Sequence, residues 1–509
     1  KVNYGTEPGS LTQSATDNIQ TTEHRVQLTG LSPFTKYYYS VGSTSQTLSG
    51  PDSLHQFTTS PAPGTVQPVR IWATGDFGKG NTRQQKVRDA FLHYTRNTHT
   101  DVWIWLGDNA YDNGTDQQYQ DKVFDYSYYG DIMKFMPFMP CPGNHDYEVI
   151  SPPQNSKDPT THTGPYYDII EVPKYGEMGG VASGYELYYS FDYSNVHFIS
   201  LNSELGALTS SSNDWTGANP LGNFSGSPMT QWLEQDLQAN TKPWVIVFFH
   251  QLPYSKGSHD SDVFFERYMI AMRENFVPIF DRYDVDLVVC GHSHVYERSF
   301  MIKGHYGNSS TFDPGTMLVD GSSGIDSLGE AYVKDLNQPN GGDGTVYVVC
   351  GSSGSLDSGA PLNHPVMYTG YDEKGGSVII DISGNRLDAR FLSEDSIIRD
   401  HFTMMKIDSI ADTTSVRALE IISEFKVHPN PFSGNTTVSY TLKKNSDVTL
   451  EIFDLSGKKI KMLRDTQNER AGEHSFVISE SELNSAKGVF LLKLHAGAGN
   501  TLQRIIRLN

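Results

Sequence analysis

Val102-Trp103-Ile104-Trp105-Leu106-Gly107-Asp108-Asn109-Ala110-Tyr111 is an apolar run of strand length that stops at a glycine and hands over to an aspartate. Continuous apolarity over so few residues predicts a strand buried on both faces rather than a half-exposed one. The same grammar recurs along the chain. Arg70-Ile71-Trp72-Ala73 leads to Gly75-Asp76-Phe77-Gly78, and Phe138-Met139-Pro140-Cys141 leads to Gly143-Asn144-His145-Asp146. Trp244–Phe249 ends at His250, with His259 in the following loop, and Asp286–Cys290 ends at Gly291-His292-Ser293-His294. Val196–Leu201 is a further strand candidate, and helical stretches are expected at 82–97, 228–239 and 263–282. In the last of these Phe265, Met269, Met272 and Phe276 recur at helical spacing and predict a core stripe. Residues 68–410 are thus α/β in texture, with Gly/Ser/Pro-rich loops near 150–184 and 303–344.

A parallel or mixed sheet gathers loops at the carboxyl ends of its strands, so these motifs are expected to converge. Their donors are carboxylate, imidazole, amide and phenol, a set suited to iron, manganese or zinc. Asp108 can bridge two ions with its two oxygens. Asp76 and His294 would complete one ion's shell, and Asn144, His250 and His292 would hold the other. His292 and His294, two residues apart on an extended turn, point oppositely and can serve one ion each. His93 and His197 fit an ordinary helix and strand.

Bulk properties narrow the field. With 509 residues, 37% of them hydrophobic, the chain exceeds a single core. A formal charge of -20 excludes a basic nucleic-acid face and leaves phosphate chemistry to locally bound cations. No apolar run approaches the ~20 residues of a membrane helix. The three cysteines, Cys141, Cys290 and Cys350, close apolar runs and are expected to be buried thiols.

Taken together, the motifs of residues 68–410 resemble the calcineurin-like metallophosphoesterases, and their purple acid phosphatase branch in particular. Most of that superfamily has a histidine two residues after its first aspartate, where this chain has Gly78. The branch has instead a tyrosine three residues after the bridging aspartate, which matches Tyr111. The resemblance implies a central four-layer (αββα) α/β sandwich. It implies Fe(III) held by Asp76, Asp108, Tyr111 and His294, and Fe(II), Zn(II) or Mn(II) held by Asp108, Asn144, His250 and His292. It implies hydrolysis of small phosphate monoesters by metal-hydroxide attack, with His145 and His259 as catalytic, substrate-binding histidines and Asn144 also at the substrate. Asp260 stands where the family often has a second histidine, and Asp146 where it often has glutamate. A phosphodiesterase or nucleotide hydrolase would use the same metals, the two long loops deciding; a surface-binding protein with a decayed site is the non-enzymatic reading.

Both ends are expected to be all-β sandwich domains. Residues 1–63 offer strands at Val2–Tyr4, His24–Leu28, Lys36–Val41 and Leu54–Thr59, and resemble part of a fibronectin-type-III-like module whose first strands precede this chain. A link is expected at 411–424. Residues 425–509 offer Thr437–Leu442 and Val448–Asp454 in hairpin-like succession, then Gly488–Leu494 and Gln503–Leu508. Val427-His428-Pro429-Asn430-Pro431-Phe432, Ile452–Gly457 and the basic end with Arg504 and Arg507 resemble the type IX secretion sorting domain. That resemblance implies the type IX machinery as a partner and a secreted or cell-surface location.

Overall fold

The runs read as buried strands form the centres of two mixed sheets. In the first, Met367–Tyr371, Tyr296–Ser299, Val346–Cys350, Leu287–Cys290, Trp244–Phe249, Val196–Ser200 and Tyr189–Tyr193 lie side by side in that order. The four strands from Val346–Cys350 to Val196–Ser200 are parallel and the flanking ones antiparallel. In the second, Phe138–Cys141, Val102–Leu106 and Val69–Thr74 are parallel, with Gly376–Ser383 and Arg386–Ser393 following antiparallel. Every residue of Val102–Leu106, Trp244–Phe249 and Leu287–Cys290 is buried, which is why these strands are apolar throughout rather than alternating.

This computed structural model describes all residues except 97, 148–163, 205–225, 338–341, 408–421, 431, 454–458, 480–481, 483–487, 497–498 and 508–509. The chain divides into two compact units: residues 1–323 with 343–403, and residues 324–342 with 404–509.

In the first unit, helix Thr82–Thr95 is capped by Asn81, whose side chain accepts from the Gln84 amide, and Phe91 stacks on Trp72 at 4.0 Å. Ser227 caps helix Pro228–Ala239 in the same way through Thr230. The helix expected at 263–282 is broken into a 3-10 turn, Phe264–Glu266, and helices Arg267–Asn275 and Val277–Arg282. Met269, Met272 and Phe276 are buried as expected. Phe265 is 85% exposed, because the tighter turn takes it out of phase with the α-helical stripe.

The carboxyl ends of the two sheets approach too closely for side chains. A Cβ on Gly75 would lie 2.6 Å from the Cys350 carbonyl oxygen and 3.2 Å from the Gly291 Cα. One on Gly107, at φ 87°, would meet the His250 ring at 2.6 Å. The glycines that punctuate the sequence motifs are thus the price of bringing the loops together. Cys141, Cys290 and Cys350 are buried beneath them.

Residues 1–59 form one five-stranded sheet, with Val2–Gly5, Lys36–Gly42 and Gln56–Thr58 where strands were expected and Gln13–Ala15 and Thr47–Ser49 added. His24–Leu28 is not a strand. Arg25 there pairs with Glu171 at 2.7 Å and donates to the Tyr167 carbonyl, so the segment is bound by side-chain contacts rather than by a ladder. The long loops hold short elements, Pro165–Ile169 in one and, in the other, Leu318–Asp320, which pairs with Met301–Ile302 just before it; residues 150–163 and 338–341 lie outside the described set.

In the second unit, Thr436–Leu442 pairs with Ile422–His428 and Gly472–Ile478, while Ser446–Phe453 pairs with Lys459–Glu469 and Gly488–Ala496, which in turn pairs with Gly499–Arg507. The two strands read as a hairpin therefore belong to different sheets. Each alternates because its buried face joins one cluster with Val438, Tyr440, Leu450, Ile452 and Leu492. Ile422–His428 begins inside the stretch expected as a link, whose residues 411–421 are outside the described set, as are 454–457 of the sorting motif.

Candidate metal centre

All seven expected donors meet at the carboxyl ends of these strands. Asp76, Asp108 and His292 each follow a strand-ending glycine and take positive φ, 56°, 53° and 67°. Side chains rarely hold that conformation without compensation, and its concentration at one place marks a site. Asp146 fastens two of the loops: its carboxylate accepts from the backbone N–H of Gly143 at 2.8 Å and of Asn109 at 3.0 Å, and from the Tyr119 hydroxyl at 2.8 Å. Burial and the charge of Asp108 push its carboxyl up to about 7. The shorter aspartate in place of glutamate thus has a built role.

Around Tyr111 lies one cluster. Its hydroxyl is 2.9 Å from Asp76 Oδ1, 2.9 Å from Asp108 Oδ2 and 3.3 Å from His294 Nε2. His294 Nδ1 lies 2.7 Å from Asp357 and Nε2 3.5 Å from Asp76; burial lowers its pKa, but the two carboxylates outweigh this and raise it. The phenolic hydroxyl therefore faces two carboxylate oxygens and an imidazole nitrogen. The second cluster lies around His250. Its Nδ1 donates to the Leu106 carbonyl at 2.8 Å, and its Nε2 faces Asn144 Oδ1 at 3.0 Å, His292 Nδ1 at 3.2 Å and Asp108 Oδ1 at 3.3 Å. Asp108 presents one oxygen to each cluster.

Carboxylate, imidazole, amide and phenol donors thus converge at hydrogen-bonding distance, a set suited to metal cations. The electrostatics agree. Burial disfavours a charged His250, yet Asp108 and Asp76 raise it to about 10. Burial likewise opposes ionisation of Asp108, yet His250 and His145 hold its carboxyl well below the usual range. Tyr111 is driven well above 10 by burial and by Asp108 and Asp76, so a phenolate there needs added positive charge. Asp76, Asp108 and His250 form one group of metal-competent atoms within 4.8 Å of one another. By oxygen and imidazole donors, the residues fit a pair of hard or borderline ions.

The two non-ligand histidines stand beside these clusters. His145 donates from Nδ1 to the Asp112 carbonyl at 2.6 Å, with Nε2 3.9 Å from Asp108. His259 lies over His292, ring centroids 3.9 Å apart, and its Nδ1 is 2.7 Å from Glu266. Glu266 also reaches His292 Nε2 at 3.4 Å. Burial raises its carboxyl, but the two imidazoles outweigh this and draw it down to about 2. Sequence reasoning did not find Glu266, nor Asp357, nor Gln251, which bridges Asn144 to the buried Glu204. Of these only Gln251, adjacent to a motif histidine, had any signal. His197 is structural, clasped between Asp192 at 2.8 Å and Asp236 at 2.9 Å.

Comparison with known proteins agrees with this geometry. Residues 69–296 match the calcineurin-like phosphoesterase family, residues 1–59 the purple acid phosphatase N-terminal domain, and residues 426–507 a secretion system C-terminal sorting domain. The chain therefore joins a calcineurin-like phosphoesterase domain to a purple acid phosphatase N-terminal domain and a secretion sorting domain. Its relatives include a probable purple acid phosphatase 20 of Arabidopsis thaliana, 29% identical over 53% of this chain and 53% of that protein. An uncharacterized protein of Mycobacterium tuberculosis is 30% identical over 38% of this chain and 34% of its own length. The chain thus spans between about a third and a half of these relatives. The fold is that of the purple acid phosphatase from yellow lupin seeds, with a TM-score of 0.55 at 20% identity over 80% of this chain and 69% of the lupin chain.

Proposed function

We propose that the protein is a secreted phosphatase that hydrolyses phosphate monoesters at a dinuclear metal centre. The observation that carries the reading is Asp108, whose two oxygens face two separate clusters of metal-competent donors. Asp76, Asp108, Tyr111 and His294 would hold a ferric ion, since phenolate is a hard anionic donor; Asp108, Asn144, His250 and His292 would hold Fe(II), Zn(II) or Mn(II). When bound, such a pair polarises a phosphoryl oxygen and lowers the pKa of water.

The chain's own residues do the rest. With Nδ1 committed to the Asp112 carbonyl, a protonated His145 offers its Nε2–H to a phosphoryl oxygen. With Nδ1 directed at the ionised Glu266, His259 keeps Nε2 for the leaving oxygen and can deliver a proton there. Asn144 faces His250, steadied by Gln251, and would also serve at the substrate. The domain reading that accompanies this is a partial fibronectin-like sandwich at 1–63, an αββα catalytic domain at 68–410, a link at 411–424 and a sorting domain at 425–509. Purified protein loaded with iron and zinc is expected to bind two metal equivalents and hydrolyse p-nitrophenyl phosphate, and Asp108→Ala to lose both. Full activity in Asp108→Ala, or two bound metals with no hydrolysis of any monoester, would sink the reading.

A further inference from the structure

Val263, Phe264 and Phe265 are 41%, 57% and 85% exposed, on the turn that ends in Glu266. Two neighbouring phenylalanines, rings 6.3 Å apart and T-shaped, are an unusual thing to leave in water at a rim otherwise made of charge. Their position is fixed by function-bearing contacts, because the next residue holds both His259 and His292. The aromatic turn is therefore joined through Glu266 to His259, the residue set at the leaving group in the reading above.

The charges nearby point the same way. Lys256 is held by Asp260 at 2.7 Å and by Asp262 at 2.8 Å. Lys79 lies 3.4 Å over the Tyr111 ring and 3.7 Å from Asp112. Arg273 is fully buried. Asp112 and Asp357 face solvent beside His145 and His294. Lys256 and Lys79 are thus paired, Arg273 is enclosed, and the exposed Asp112 and Asp357 stand beside the centre. A neutral apolar leaving group needs no further cation, and Phe264 and Phe265 offer it an exposed apolar surface.

We infer that the Phe264–Phe265 turn is a specificity element that selects monoesters of neutral, aromatic alcohols over small ones. This rests on the phosphatase reading above. Phenethyl phosphate and ethyl phosphate have leaving groups of closely similar basicity, so their kcat/KM ratio isolates recognition of the ring. The wild type should favour phenethyl phosphate, and Phe264→Ser, Phe265→Ser and the double variant should lower that preference by roughly 3- to 10-fold, the range of an aromatic pair contact. Ethyl phosphate turnover should be unchanged. Phe265→Trp should raise the preference, and at so exposed a position neither change threatens folding. A ratio unmoved in all variants, with ethyl phosphate still hydrolysed, overturns the inference and leaves the phosphatase reading standing. A wild type that hydrolyses no monoester overturns both.

Discussion

Glu266 has no motif around it, yet its carboxylate gives His259 a direction. The 2.7 Å contact commits Nδ1 and, in the proposed reaction, leaves Nε2 for the leaving group. A good leaving group needs little proton donation and a poor one needs much. Glu266→Ala should therefore lower kcat for ethyl phosphate about 10- to 100-fold, the scale seen when a histidine's orienting partner is lost. The loss for p-nitrophenyl phosphate should be several-fold smaller, and Glu266→Gln should recover part of it. Equal losses for both esters would make Glu266 merely structural. At this scale, sequence legibility tracks covalent context. The seven donors could be read because each ends a buried run or sits within four residues of the glycine that follows one. Glu266 and Asp357 reach the centre through loops whose path only the folded chain defines.

Among the elements, His197 stitches strand Val196–Ser200 to Asp192 on its neighbour and to Asp236 on helix Pro228–Ala239. Burial works against its charge, but the two carboxylates raise it from 6.5 to about 9. Its folded pKa exceeds the unfolded one, so its contribution is complete below pH 6.5 and fades as pH rises through 9. At pH 6, His197→Gln should cost roughly 2–3 kcal/mol in denaturant unfolding, and the gap should narrow toward pH 10. A gap independent of pH would contradict a charged His197. The elements themselves were legible where burial is two-sided: Val102–Leu106 and Trp244–Phe249 could only be core strands. His24–Leu28 alternated like a strand but found no ladder partner. Lys459–Glu469 and Gly472–Ile478 pair well, yet their mixed polar sequences gave no such signal.

For the whole molecule, the division into two units has a functional consequence. Residues 426–507 match a sorting domain, and none of the seven donors lies in them. Chain ending at residue 421 should keep kcat/KM on p-nitrophenyl phosphate within about 2-fold of the full chain, while a cell with type IX machinery should no longer export it. Loss of hydrolysis in the purified short chain would show that the C-terminal residues support the centre rather than the address. Among the described residues no helix is long and apolar enough to cross a membrane.

The proposed centre has Tyr111 as a ligand of a ferric ion. Iron-loaded protein should show a visible phenolate-to-iron charge-transfer band that Tyr111→Phe loses while metal analysis still finds iron bound. A band of undiminished strength in Tyr111→Phe, or iron-loaded wild type with no band at all, would contradict it.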